Sequence, residues 1–454
     1  MHIHINLDLK GTIRGKILNI SILHVKDLDP QTRDRLLLRS LKGMEEIEDK
    51  VRKIIEDIKT RGDESIADFY REFFKTESFT KEKIRVTEEE IRESYDKVSY
   101  ELIESLEIAK ENIRAFHASQ LPKKIWFRSV GNGALVGQVW KPIESVGIYV
   151  PGGRANYPST ALMLGVPAKV AGVKKVVAAT PPRPDGTVSP ATLVALDMAR
   201  VDAVYRVGGA HAIAAFAYGT ESIPKVLKVV GPGNVWVAAA KKILRDVIDI
   251  EFIAGPSEVL ALALEDADPY YVAKDLIAQA EHDPSASAVA VTLSLEKARE
   301  IHQLLQEEVS KIKRSDIVTE SLSKYGAILV AEDLDEAVDF VNNYAPEHLE
   351  IMTDNIDKGL ALLGRINNAG SIFIGNNTPV PMGDYITGTN HTLPTGGNAK
   401  TRGSLGINDF IKLIDVQILT KEGIETLGPH AVRIAEAEEL YNHAESIKAR
   451  LKKS

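Results

Sequence analysis

The fold of this chain is set by the stretch Ser145-Val-Gly-Ile-Tyr-Val-Pro-Gly-Gly153, which predicts a short buried strand running into a glycine-bearing loop. Helix-like and strand-like segments alternate after it. The predicted helices cover 159–171, 190–200 and 211–218, and the predicted strands cover 175–180, 202–207 and 226–230. Apolar strands that alternate with helices indicate a parallel sheet with both faces covered.

A second series of the same kind begins near residue 250. Strands are predicted over 258–263, 288–292, 327–330, 349–352 and 371–374, and helices over 270–281, 295–312 and 334–343. The sequence therefore predicts a second α/β sheet.

The regions outside these two series differ in character. Residues 1–40 begin with strand-like alternation, and residues 41–118 are helical and highly charged. The last part, 401–454, ends in a charged helix over about 429–452 that is too polar to form a core alone. We expect that helix to pack on another surface.

The composition excludes several classes of protein. A chain of 454 residues that is 44% hydrophobic has enough apolar material for about two to four domains. No apolar run approaches the ~20 residues needed to cross a bilayer, and the start lacks the layout of a secretory signal, so we expect a cytoplasmic protein without a membrane partner. The net charge of −8, without a basic stripe, argues against a nucleic-acid partner. Because cysteine is absent, a metal ion would need imidazole and oxygen ligands.

Glycines and polar residues are concentrated between Gly383 and Gly397, a stretch that contains Asp384 and His391. The polar residues are too many to bury in a core and too closely spaced for a plain surface turn, which predicts a site loop. The alternative is an ordinary long turn with an exposed Asp and His.

Three other glycine-bearing loops lie between a predicted strand and a predicted helix, where doubly wound sheets bind ligands. They begin at Pro151, Val207 and Val230. None contains Gly-x-Gly-x-x-Gly, so a nucleotide site and simple turn chemistry both stay open.

Two further segments carry side chains suited to catalysis. Gln279 and His282 lie three residues apart at the end of a predicted helix, where they can reach one ion together. The alternative is a polar helix end whose imidazolium suits the helix dipole. Pro346 ends another predicted helix and places Glu347 and His348 at the start of a strand, where an irregular turn would let them act as an acid–base pair.

The terminal helix adds one more possible ligand. Gln279, His282, Asp384 and His443 are four nitrogen and oxygen groups of a kind that can complete a zinc shell in a cysteine-free protein. The alternative for His443 is a charged, solvent-facing helix surface.

Long motifs in a characteristic order identify a resemblance. They are Tyr149-Val-Pro-Gly-Gly, Ala254-Gly-Pro-Ser-Glu-Val, Gln279-Ala-Glu-His, Pro346-Glu-His-Leu and Gly383-Asp-Tyr-x-x-Gly-Thr-Asn-His-x-Leu-Pro-Thr. From about residue 52 to its end, the chain resembles the histidinol dehydrogenase family. That family oxidises L-histidinol through L-histidinal to L-histidine with NAD and zinc, in the last steps of histidine biosynthesis.

The resemblance implies an α/β fold with two Rossmann-like parallel-sheet domains, a helical amino-terminal region and a small carboxyl-terminal helical domain, in an intertwined homodimer with shared active sites. The implied division is an extension over 1–40, an α/β domain over 41–148 and 258–400 with the zinc and catalytic residues, an NAD domain over 149–257, and a segment over 401–454 that is swapped onto the partner.

Matched position by position, the resemblance also implies roles for individual residues. The metal ligands fall on Gln279, His282, Asp384 and His443, and the catalytic pair on Glu347 and His348. The substrate contacts fall on Ser257, Gln279, His282, His348, Asp384, Glu438 and His443. The NAD contacts fall on Tyr149, Asn234 and His211, and the last departs from the glutamine usual in the family.

The chemistry of these residues supports the implied roles. His348 would take the alcohol proton. The second oxidation needs the aldehyde hydrate, since the chain has no cysteine for a thiohemiacetal, and Glu347 would activate the water. His391 would support the Asp384 loop. Two other functions stay open: a zinc hydrolase, although no His-Glu-x-x-His helix is present, and a catalytically silent binding protein on the same scaffold.

Overall fold

The computed structural model describes residues 18–37, 44–76, 78–131, 133–152 and 156–452. The strand predicted at the very start of the chain lies outside these residues. The described chain opens with the short strand β1 (Ile22–His24) and the helix α1 (Pro30–Leu37). No helix in the described part is both long and apolar enough to cross a membrane.

Helices and an antiparallel strand pair precede the first parallel sheet. They are α2 (Met44–Arg61), α3 (Asp63–Phe74), α4 (Glu88–Tyr95), α5 (Tyr100–Ser119), β2 (Ile125–Ser129) and β3 (Ala134–Pro142). The start of α4 shows why the chain becomes helical there: the side chains of Thr87 and Glu90 each accept a hydrogen bond from the other's backbone N–H.

The first parallel sheet is built from alternating strands and helices, as predicted. They are β4 (Ser145–Tyr149), α6 (Pro158–Val170), β5 (Lys175–Thr180), α7 (Pro190–Met198), β6 (Ala203–Arg206), α8 (Gly209–Tyr218), β7 (Lys228–Val230), α9 (Val235–Leu244) and β8 (Asp249–Ile250). The described strands lie in the order β6-β5-β4-β7-β8, and all pairings are parallel. The strand order reverses between β4 and β7, so a ligand is expected at the carboxyl ends of these two strands.

The second parallel sheet follows the same plan. Its elements are β9 (Glu258–Ala263), α10 (Pro269–Ala280), β10 (Ser287–Thr292), α11 (Leu295–Val309), α12 (Ser315–Tyr325), β11 (Ala327–Val330), α13 (Leu334–Tyr344), β12 (His348–Met352), α14 (Ile356–Leu362), β13 (Ser371–Ile374) and α15 (Val380–Tyr385). The described order is β1-β11-β10-β9-β12-β13, which repeats the first sheet's order with β1 added at one edge. The helix predicted over 295–312 ends at Val309, and the unpredicted α12 follows it.

The carboxyl-terminal arm consists of β14 (Ile411–Leu419), α16 (Lys421–Ala437) and α17 (Tyr441–Leu451). β14 pairs antiparallel with β3, which pairs with β2, and this small sheet was not predicted. The single helix predicted over 429–452 is wrong. The helix already starts after Thr420, whose side chain accepts the N–H of Gly423, and it is interrupted near Glu439, which has a φ of 60°.

Apolar side chains cover both faces of each parallel sheet. On the first sheet, α2, α3, α8 and α9 cover one face, and α5, α6 and α7 cover the other. On the second sheet, α10, α11 and α12 cover one face, and α1 and α13 the other. The predicted α/β class with two parallel sheets is confirmed. These contacts differ from the predicted domain division, which grouped 41–148 with the second sheet, because the helices of that region bury their apolar stripes on the first.

Candidate active site

The pair Glu347 and His348 lies where α13 gives way to β12. The helix ends at Tyr344, Ala345 has a φ of 51°, and Pro346 follows, so the chain turns sharply before the strand. Both side chains of the pair are buried, and Nδ1 of His348 lies 3.5 Å from Oε2 of Glu347. The irregular turn brings together two side chains that a regular strand would direct to opposite faces.

The carboxylate of Glu347 is held by two donors. Its Oε2 accepts a hydrogen bond from the Ser257 hydroxyl at 2.7 Å and another from the backbone N–H of Glu258 at 2.8 Å. Burial raises the pKa of Glu347 to about 7, although His348 and the two hydrogen bonds favour the charged form. A carboxyl group that changes protonation near neutral pH suits general base catalysis.

The imidazole of His348 is oriented by the backbone. Its Nδ1 lies 2.9 Å from the carbonyl oxygen of Glu258, and because a carbonyl only accepts, Nδ1 carries a proton and Nε2 is the reactive nitrogen. Nε2 lies 3.6 Å from Oδ1 of Asp384. Burial acts to lower the pKa of His348, but the carboxylates of Glu347 and Asp384 outweigh it and raise the pKa to about 10. The charge on these neighbours therefore decides whether Nε2 can accept a proton.

Three predicted metal ligands lie on elements that end beside this pair. Gln279 is in the last turn of α10, and His282 lies just beyond the helix, with its N–H donating to the Gln279 carbonyl at 3.3 Å. Asp384 lies on α15, next to His348. Burial lowers the pKa of His282, although Asp384 opposes the effect. Burial acts to raise the pKa of Asp384, but the neighbouring imidazoles, His348 foremost, bring it below its ordinary value.

The chemistry of these donors fits a zinc ion. A neutral imidazole, a carboxylate and an amide oxygen are ligands that zinc accepts. Nε2 of Gln279 is buried without a hydrogen-bond partner among the described residues, so the amide is not engaged elsewhere through that nitrogen. Within the described residues, no group of three or more His, Asp or Glu side chains is placed to hold a metal ion. His443 therefore does not complete the set within a single chain.

Glu438 and His443 lie on the carboxyl-terminal arm, away from the other predicted site residues. Both side chains are exposed, and in the described part of the chain neither makes a side-chain hydrogen bond or ion pair. α16 and α17 pack on each other through Val432, Ala435 and Ala444. A single chain thus brings together six of the predicted site residues: Ser257, Gln279, His282, Glu347, His348 and Asp384.

His391 ties the site loop to both sheets. Its Nδ1 lies 2.9 Å from the carbonyl oxygen of Asp384, which confirms the predicted support of that loop. Its Nε2 lies 3.2 Å from the hydroxyl of Thr160, near the start of α6. The carboxyl edge of the first sheet therefore meets the amino edge of the second, where β12 begins. The expectation that the loop's polar residues cannot be buried was wrong, since Asn390 donates to the carbonyl of Met163 at 2.6 Å and is buried.

Two of the predicted NAD contacts lie at the carboxyl ends of strands in the first parallel sheet. Tyr149 ends β4, and its hydroxyl oxygen accepts the N–H of Gly209 at 3.1 Å. Asn234 follows β7 and caps α9, accepting N–H bonds from Trp236 and Val237. These two residues lie at the reversal of strand order, where dinucleotides bind in sheets of this type.

His211 has a different environment from the other two predicted NAD contacts. It lies on α8, is only 6% exposed, and packs on Phe69 with 4.1 Å between ring centroids. Burial lowers the pKa of His211 to about 4, so the ring is neutral at physiological pH. Its contact with NAD stays a prediction.

Glu258 is a site residue whose role the sequence does not reveal. Its carbonyl oxygen orients His348, its N–H holds Glu347, and its carboxylate accepts the N–H of Glu347 at 3.2 Å and that of Gly396 at 3.3 Å. The position lies inside the motif that begins at Ala254, but contacts made by the backbone leave no signature in side-chain chemistry.

Fold and site together place this chain among the α/β oxidoreductases, in which a Rossmann-type sheet opens onto acid–base groups held by a second unit. A family model described as histidinol dehydrogenase matches residues 37–451. The chain belongs to the histidinol dehydrogenase family.

Similar proteins cover nearly the whole chain. The histidinol dehydrogenase of Methanosarcina mazei is 47% identical over 94% of this chain and 96% of its own length. That of Methanocaldococcus jannaschii is 45% identical over 96% of this chain and 100% of its own length. The crystal structure of histidinol dehydrogenase from Elizabethkingia anophelis has a TM-score of 0.90 and 35% identity, covering 96% of this chain and 98% of that one. Family membership favours the dehydrogenase over the zinc hydrolase and the silent binding protein.

Proposed function

We propose that this chain oxidises L-histidinol through L-histidinal to L-histidine, with NAD as the hydride acceptor and one zinc ion held by Gln279, His282, Asp384 and His443. Oxidation of histidinol to histidine, in histidine biosynthesis, is the activity of the family to which the chain belongs. The observation that carries the proposal is the buried pair Glu347 and His348, since the two oxidations need a proton acceptor and a base that activates water.

The ligand set supports a zinc ion that also binds substrate. Zinc at this position would polarise and orient the amino and imidazole nitrogens of histidinol, and bound NAD would accept hydride. His282 is neutral and Asp384 is ionised, which are the protonation states that metal binding requires.

His348 is the base for the alcohol. Nδ1 is committed to the Glu258 carbonyl, so the alcohol proton goes to Nε2. Asp384 is one of the two carboxylates that raise the pKa of His348, and its charge would be offset if it held a cation. The pKa of His348 would then lie closer to the range in which Nε2 is free to accept a proton.

Glu347 is the base for the aldehyde. A hydride leaves an aldehyde carbon only after the carbonyl is hydrated, and the chain has no thiol that could replace water. The carboxylate of Glu347 removes the proton from the attacking water. Its two donors, Ser257 and the Glu258 N–H, hold Oε2, which leaves Oε1 for that proton.

The exposed surfaces of the arm and of β2 support a homodimer in which each active site is shared. β2 and β14 expose large apolar side chains that a stable single chain would bury: Ile125, Trp126, Phe127, Leu413, Ile414, Ile418 and Leu419. On the helices of the arm, Ile434 is 62% exposed and Tyr441 is 63% exposed. A two-fold partner that covers these surfaces would bring its Glu438 and His443 to the site of this chain, and the reverse.

Two experiments test the proposal. Zinc analysis of the purified protein, combined with NADH formation from L-histidinol before and after chelation, tests the chemistry. Mixing inactive His348→Ala chains with inactive His443→Ala chains tests the sharing. In each heterodimer one site has both residues intact, so about a quarter of wild-type activity returns on statistical reassortment.

A matched mixture controls for nonspecific rescue. His348→Ala chains mixed with Asp384→Ala chains carry both defects on the same side of the shared site, so no heterodimer has an intact site. Exchange of subunits is followed by mass spectrometry of differently tagged chains. Exchange without return of activity in the first mixture would show that each chain builds its own site.

A further inference from the structure

A lysine and a glutamate form a buried ion pair at the switch point of the first sheet. Lys241 lies on α9 and Glu251 directly follows β8, and each is only 3% exposed. Nζ of Lys241 lies 2.7 Å from Oε1 of Glu251. Burying a charged pair is costly, so its position in the molecule calls for a reason other than stability.

The two side chains of the pair hydrogen-bond to the backbone N–H and carbonyl of one residue, Gly231. Nζ of Lys241 donates to the carbonyl oxygen of Gly231 at 2.6 Å, and the N–H of Gly231 donates to Oε1 of Glu251 at 2.7 Å. Gly231 has a φ of 123°, and a Cβ there would lie 2.2 Å from the carbonyl oxygen of Tyr149. The ion pair therefore holds the turn that begins at Gly231 from one side, and the end of β4 packs against that turn from the other.

The turn held in this way joins the two predicted NAD contacts. Residues 231–234 lead from β7 to Asn234, the cap of α9, and Gly231 touches Tyr149. Lys241 lies seven residues after Asn234, about two turns into α9. Its side chain therefore links the middle of the helix to the turn that leads into it. A shift of Gly231 would change the separation of Tyr149 and Asn234.

We infer that Lys241 and Glu251 are positioning residues for NAD, which hold the turn at 231–234 in the shape that binds the dinucleotide. The inference rests on the proposed NAD function of this chain. Neither side chain is exposed to a ligand, so both act through Gly231. Glu251 is also the first residue of the connection 251–257. The last residue of that connection, Ser257, donates a hydrogen bond to Glu347.

A purely structural ion pair would behave differently on replacement. Removing one partner leaves a buried unpaired charge and destabilises the fold, whereas apolar residues in both positions are often as stable as the pair. The double variant Lys241→Met with Glu251→Leu therefore separates stability from positioning. It keeps the core filled but removes every hydrogen bond to Gly231.

The test measures NAD affinity directly, by calorimetric titration of the zinc-loaded protein, beside the thermal midpoint, the zinc content and the KM for histidinol. Because the buried N–H and carbonyl of Gly231 lose their partners, we expect the double variant to fold with a lowered thermal midpoint and to bind NAD about tenfold more weakly, with KM for histidinol within about twofold of wild type. Lys169→Met is the matched control. Lys169 pairs with Asp202 at 2.8 Å, and Asp202 lies at the amino ends of the strands of the same sheet, away from the turn at 231–234. This variant should leave NAD affinity unchanged.

If the double variant does not fold, a second variant tests the same role. Gly231→Ala leaves the ion pair intact and forces the turn away from Tyr149, so it too should weaken NAD binding about tenfold. Wild-type NAD affinity in either folded variant would overturn the positioning role alone. Failure of the wild-type protein to bind NAD would overturn the proposed function, and this inference with it.

Discussion

Replacing Glu347 by glutamine should separate the two oxidations. Glutamine has nearly the same shape, and its amide oxygen can take the place of Oε2, which accepts from Ser257 at 2.7 Å and from the Glu258 N–H at 2.8 Å. The pocket should therefore keep its geometry. What is lost is the negative charge and the ability to accept a proton from water.

The expected magnitude differs between the two half-reactions. A general base contributes roughly 10²–10⁴-fold, so oxidation of histidinal should slow about a thousandfold. For oxidation of the alcohol, losing the negative charge of Glu347 matters only because it lowers the pKa of His348. Unit charges at the observed 3.5 Å interact by about 5 kcal/mol at an effective dielectric constant of ~20, which is about three and a half pKa units. His348 would fall from a pKa of about 10 toward neutrality and would still be a usable base, so oxidation of histidinol should slow less than about tenfold.

The assay follows NADH by absorbance with either L-histidinol or L-histidinal as the starting substrate. With histidinol, the variant should release one equivalent of NADH rapidly and the second slowly, and histidinal should accumulate. His348→Ala is the comparison, because it should slow the alcohol step strongly. Equal slowing of the two steps in Glu347→Gln would refute the assignment of water activation to this residue.

Three other predictions concern protonation and metal binding. Oxidation of histidinal should accelerate as the pH rises through about 7, because Glu347 must lose its proton to act as a base. Ser257→Ala removes a hydrogen bond that favours the charged form, so it should move the midpoint of this pH–rate profile upward; an unmoved midpoint would count against the contact. His282→Ala and Asp384→Ala should each lose zinc, measured by elemental analysis, with little change in thermal midpoint because both residues lie outside the apolar cores. Wild-type zinc content in both variants would contradict the ligand assignment.

The strands of the two parallel sheets could be predicted closely because burial on both faces leaves a strong local signal. The runs 175–180, 258–263 and 371–374 coincide with β5, β9 and β13. β14 gives a weaker signal, since most of its residues are exposed in the single chain and its apolar–polar alternation is broken at residues 413–414 and 418–419. Pro429 misled the prediction of the last helix: it lies inside α16, and the true start is marked by the less conspicuous cap Thr420.

The site was predictable only in part, because contacts between distant residues have no local spacing. The hydrogen bond from Ser257 to Glu347 joins residues 90 positions apart, and only the resemblance placed them in one site. The loop that contains Asp384 was recognised from its composition. Its burial was not, since that depends on partners such as the Met163 carbonyl that the loop's own sequence does not reveal.

The two parallel sheets share one strand order but face the site with opposite edges, and each edge favours a different kind of ligand. The first sheet presents the carboxyl ends of its strands, where α6 and α9 begin, and helix amino termini favour anions such as a dinucleotide. The second sheet presents the amino ends of its strands, where α10 ends at Ala280, between Gln279 and His282. A helix carboxyl terminus is its negative end, so it favours a cation. The contact from His391 to Thr160 fastens these two edges together. Turning the second sheet over thus places an edge that favours a cation opposite an edge that favours an anion, as the proposed zinc and NAD sites would need.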